Sequence, residues 1–148
     1  MRRIPGYPLW LGHVGDARDL AGLHAAGILA VVDLALNEPP TILTREMSYC
    51  RFPLIDGPGN PRWLVRAAVE TTAALIRGGV ATLIYCGAGM SRTPCIAGAA
   101  LAMARGWPLS EGLAVVTGAG PADLSPGLWS EITSVLGPSA PESDRSEL

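Results

Sequence analysis

Apolar residues along this chain fall into two recurring patterns: short unbroken runs rich in branched side chains, and longer stretches in which they return every three or four positions. Ile28-Leu29-Ala30-Val31-Val32 is apolar throughout, as a strand covered on both faces would be. Val80 to Tyr85 is a second such run, Leu9-Trp10-Leu11 a shorter one, and Ser48 to Leu54 a weaker one stopped by Pro53 and the turn-rich Asp56-Gly57-Pro58-Gly59. Between the runs lie helical stripes. Asp16 is a good cap for a first helix carrying Leu20 and Leu23 and ending at Gly27. Asn60-Pro61 predicts a cap and first position for a helix with Leu64, Ala67, Ala68, Thr71 and Leu75 on one side, ending at Gly78-Gly79.

After the Val80–Tyr85 run, Pro94 is tolerable in the first turn of a helix whose face is Ile96, Ala99, Ala100 and Met103, closed by Gly106. Ser110 is placed to cap a further helix with Leu113 and Val116, and Ser125-Pro126 to start a last one with Leu128, Trp129, Ile132 and Leu136. Strands alternating with helices, then a group of helices, predict an α/β fold: a central, mostly parallel sheet flanked by helices. At 148 residues the chain is the size of one ordinary domain, expected over residues 1–136. The stretch 137–148 is polar, rich in Pro and Ser and without periodicity, and is expected to be disordered.

Charge and composition exclude more than they assign. All eleven basic residues are scattered arginines and the net charge is −2, so no nucleic-acid partner is expected. Arg2-Arg3 leads into Pro5, Gly6 and Pro8 rather than an apolar run, and the apolar runs are too short to span a bilayer; the expected compartment is the cytoplasm, with no membrane partner. Cys50, Cys86 and Cys95 show no paired spacing, and with only His13 and His24 beside them neither a metal site nor another cofactor is expected.

The chemistry concentrates in Tyr85-Cys86-Gly87-Ala88-Gly89-Met90-Ser91-Arg92-Thr93, at the carboxyl end of a core strand and the start of a helix. In parallel sheets ligands bind at that end of the strands, and backbone N–H groups at a helix N-terminus favour an anion. A cysteine closing a core strand is by default a small buried hydrophobe. Arg92, separated from Cys86 by five residues with mostly small side chains, argues instead for a thiol of lowered pKa beside a planar phosphate clamp. No Gly-Lys-Ser/Thr follows, so the loop is not a nucleotide-binding P-loop.

These residues resemble the cysteine-dependent protein phosphatases, and within them the small dual-specificity type. That family's loop reads Cys, five residues, Arg, then Ser or Thr, with Gly at the fourth place and Ser before Arg; Cys86, Gly89, Ser91, Arg92 and Thr93 match it. Leu9-Trp10-Leu11-Gly12, Asp16 to Leu20, Gly27-Ile28 and Leu124-Ser125-Pro126 extend the resemblance over about residues 7 to 136.

The resemblance implies hydrolysis of phosphotyrosine, and of phosphoserine or phosphothreonine, in proteins or small phosphomonoesters by a monomer. Cys86 is implied as nucleophile, and the amides of Gly87, Ala88, Gly89, Met90, Ser91 and Arg92, with the Arg92 guanidinium, as the phosphate cradle. Thr93 is implied as a hydrogen-bond donor to the departing thiolate. The family keeps an aspartate roughly thirty residues before its cysteine, and Asp56 at that distance is the implied general acid and later base. One departure is plain: the residue before the nucleophile, usually His, is Tyr85 here, which implies weaker activation of the thiol. Two other readings stay open, a phospho-binding module with weak turnover and a rhodanese-like sulfurtransferase. Arg62 and Arg66, opening the helix after Asp56, are candidates to flank the pocket, and Cys50 or Cys95 to pair with an oxidised Cys86.

Overall fold

The computed structural model describes residues 1–137. Five strands and six helices follow one another: β1 (Arg2–Arg3), β2 (Leu9–His13), α1 (Val14–Arg18), α2 (Leu20–Ala25), β3 (Ala30–Ala35), β4 (Ser48–Leu54), α3 (Arg62–Arg77), β5 (Thr82–Cys86), α4 (Arg92–Arg105), α5 (Leu109–Gly118) and α6 (Pro126–Leu136). The sheet order is β1-β2-β5-β3-β4, parallel except for β1. The predicted mostly parallel sheet is therefore present, with one antiparallel edge strand too short to leave a periodic signal.

Side-chain alternation along the strands divides the core. Leu9, Leu11, Val32, Leu34, Leu54 and Ile84 face α3, α4 and α6, whereas Val31, Ala35, Leu83 and Tyr85 face Ala17 of α1 and Leu23 of α2. The sequence gives β5 five consecutive buried residues, as befits the central strand. At the sheet's outer edges lie the two-residue β1 and β4, which contains Pro53.

Local differences from the predicted elements have physical reasons. The first helix is two: His13 caps α1, in a box with Asp16 at its third position, and the Asp19 side chain caps α2 by accepting the Gly22 N–H. Asn60 does not cap α3. Its side chain accepts from Ile55 N (2.7 Å) and donates to the Ile55 and Gly57 carbonyls, and Pro61 takes the cap position. Likewise α5 begins at Leu109 after Pro108, with no side-chain cap from Ser110. Ser125 does cap α6, accepting from Leu128 N, with Pro126 following. Helices α4 and α5 meet closely because Gly98 has no side chain: a Cβ there would lie 2.8 Å from Leu113 Cα. Of the stretch 137–148 expected to be disordered, only Gly137 is among the described residues, its N–H donating to Thr133 O (2.6 Å).

Candidate active site

Strand β5 delivers Cys86 to the carboxyl end of the sheet, in register with His13 of β2. The loop then turns beneath the next helix. Val14 N donates to Gly87 O, and Gly89 N donates to Cys86 Sγ at 3.2 Å, so the sulfur already accepts a backbone N–H. Gly89 has φ 75° and lies so near β2 that a Cβ would be 2.7 Å from Gly12 O; only glycine fits there. The amides of Gly87, Ala88, Met90 and Ser91 make no hydrogen bond among the described residues. Free donors followed by a 14-residue helix whose N-terminus faces the loop make an anion site.

Arg92 opens α4 and is nine-tenths buried. Its Nη1 donates to Leu54 O (3.0 Å) and Leu34 O (3.5 Å), the ends of β4 and β3, while its buried Nε has no partner among the described residues. No carboxylate pairs with it there, so its charge is uncompensated. Thr93 is fully buried; its hydroxyl makes no hydrogen bond, to Cys86 Sγ or otherwise, among the described residues. Ser91 spends its hydroxyl on the α5–α6 loop, accepting from Ser125 N (2.9 Å), and Asp123 N donates to Met90 O (2.8 Å).

These elements enclose a cavity of about 290 Å³ lined by Asp56, Cys86, Ala88, Met90, Ser91, Arg92 and Asp123. Asp56, exposed in the β4–α3 loop, reaches it because Asn60 ties that loop to Ile55 and Gly57 and because Gly59 N donates to Glu131 of α6 (2.7 Å). Sequence reasoning missed Asp123: nothing local marks it, and only the fold brings its loop to Met90. A larger, mostly apolar cavity of about 560 Å³ lies elsewhere, between α4, α5 and α6, and has no cysteine or charged lining residue. Arg62 and Arg66 do not line the site; they donate to Ser134 and to Val135 O of α6.

Tyr85, the departure before the nucleophile, points to the opposite face from Cys86. Its hydroxyl bonds Thr41 Oγ1; Thr41 N donates to the Tyr49 hydroxyl, which in turn donates to the buried Asp33 carboxylate. Asp33 also accepts from Ala35 N (2.8 Å) and lies 3.6 Å from Arg51 Nε. Burial, with the Asp33 charge adding to it, pushes the Tyr85 phenol far above its ordinary range. The position therefore supplies a neutral hydroxyl and no positive charge. Cys95, fully buried in α4, has its thiol pushed up to about 12 by burial and by the neighbouring charges of Asp56 and Cys86, which favours the neutral thiol at that position. Cys50 is half-buried on β4, and all three cysteines are free thiols. No group of three or more metal-binding side chains occurs among the described residues.

A thiol ending the central strand, an anion cradle and a buried arginine on a helix-flanked, mostly parallel sheet define the cysteine-dependent protein tyrosine phosphatase class. The comparisons narrow this. Human dual specificity phosphatase 28 is 30% identical over 128 residues, spanning 84% of this chain and 71% of that protein. The crystal structure of human DUSP28 superposes with a TM-score of 0.79 at 25% identity, covering 100% of both chains. A mouse dual specificity phosphatase described as putative, crystallised with zinc tungstate, gives 0.78 at 25% identity over 90% of this chain and 84% of that one. No protein-family model matches the chain. The chain belongs to the dual-specificity protein phosphatases.

Proposed function

We propose that this phosphatase hydrolyses phosphotyrosine, and phosphoserine or phosphothreonine, through a cysteinyl-phosphate on Cys86. The observation that carries the assignment of roles is that one cavity is lined by Cys86, Arg92 and Asp56 together. The Cys86 thiolate attacks phosphorus and the P–O bond to the leaving group breaks. Asp56 gives that oxygen its proton. Water, deprotonated by Asp56, then attacks the phosphoenzyme and the thiolate leaves with the S–P electron pair. The amides from Gly87 to Arg92, of which that of Gly89 donates to the Cys86 sulfur in this structure, and the Arg92 guanidinium hold the three equatorial oxygens. Thr93, with its hydroxyl unpartnered at the start of α4, is free to turn a donor to the departing sulfur.

The same reading takes residues 1–136 as one catalytic domain acting as a cytoplasmic monomer without a cofactor. No helix among the described residues is long and apolar enough to cross a membrane. The Tyr85 phenol favours a second reading as well, a phospho-binding module with weak turnover, because it removes the cation that would assist the thiolate. Sulfur transfer has no use for an acid at Asp56. Release of phosphate from an aryl phosphate in the presence of a chelator, abolished in Cys86→Ser, is the result expected. No release from the wild type, with phosphopeptide binding retained, would select the binding module.

A further inference from the structure

The cavity holds a second carboxylate that this reaction does not use. Asp123 lies in the α5–α6 loop, exposed, yet its backbone is fastened on both sides: its own N–H to Met90 O, and Ser125 N to the Ser91 hydroxyl. Its side chain makes no hydrogen bond and no ion pair among the described residues. Arg2 donates its Nη2 to Pro121 O (3.1 Å) in the same loop and forms no ion pair with Asp123. The floor of the cavity is thus positive, through the buried Arg92 with its unpartnered Nε, while its rim carries Asp56 and Asp123 and the neutral Ala88 and Met90.

A phosphoryl group that fills the cradle satisfies Arg92 and the loop amides, leaving the neighbouring parts of the substrate against the rim. There a positive group is attracted and a further phosphate or carboxylate repelled. We propose that Asp123 is a specificity residue that selects phosphopeptides with lysine or arginine flanking the phosphorylated residue and disfavours substrates carrying additional acidic groups beside it. This rests on Cys86 and Arg92 marking the phosphate subsite proposed above.

Binding separates the two ideas. Calorimetry on the Cys86→Ser protein compares one phosphotyrosine peptide flanked on both sides by Lys with the same peptide flanked by Glu. The Lys peptide is expected to bind about tenfold tighter at low salt, the ratio falling severalfold as salt screens it. Adding Asp123→Asn should shrink the ratio severalfold, and Asp123→Arg should invert it. Equal affinities, no binding of either peptide, or a ratio that follows Asp56→Asn and not Asp123→Asn would overturn the assignment. Phosphate release by the wild type reads the reaction independently. A protein that keeps the charge preference without turnover refutes the hydrolase reading and supports the role of Asp123.

Discussion

Cys86 already accepts a backbone N–H from Gly89, yet its sequence neighbour contributes a neutral phenol where an imidazole is usual. Replacing Tyr85 by His places a titratable cation in the strand that carries the thiol. A positive charge favours the thiolate over the thiol, so the rising limb of a kcat/KM profile should move to lower pH in the variant if the thiolate is the attacking form. Thiolate absorbance or the pH dependence of alkylation measures this, and an unshifted titration would remove the idea. In the proposed mechanism Asp56 acts on the opposite limb, because a general acid must be protonated to donate. Asp56→Asn should lower kcat about 10²- to 10⁴-fold for substrates with poor leaving groups and abolish the fall in rate at higher pH. Cys86→Ser should lower kcat by at least about 10⁴-fold while leaving phosphopeptide binding measurable.

Loops held by specific partners bring these residues together, and here sequence and structure differ most. The loop from Cys86 to Arg92, proposed here as nucleophile and cradle, is legible as a strand-to-helix turn because its residues are contiguous and a helix start after a core strand has a local signature. Asp123 and the Tyr85–Thr41–Tyr49–Asp33 network are not, since each joins segments far apart along the chain. Asn60-Pro61 shows a subtler failure: a good capping residue is instead drawn to the main chain of the loop bearing Asp56. Asn60→Ala should therefore lower kcat more than it raises KM, with little change in phosphate affinity, because it loosens the acid and not the cradle. Gly89→Ala should do worse. It forces a Cβ toward Gly12 O at a positive φ, at a cost of about 1–3 kcal/mol, and displaces the sulfur's donor. Thermal unfolding together with phosphate release reads both effects.

Considered whole, the molecule converges on its anion site: β2 contacts the loop through Gly12, β3 and β4 hold Arg92, β5 brings the thiol, and the α5–α6 loop closes over Met90. An oxyanion bound there should stabilise the entire fold. At a hundred times its Kd, tungstate or phosphate should add about 2.7 kcal/mol, a rise of several degrees in Tm that Arg92→Ala abolishes. The sheet's margins carry a different consequence. One is closed by two arginines, with Arg3 stacked 4.9 Å over Trp10, and the other contains a proline that cannot donate to a ladder. A foreign strand seeking to extend the sheet meets charge at one border and a missing donor at the other, so a chain with a mean hydropathy of +0.30 is guarded against edge-to-edge aggregation.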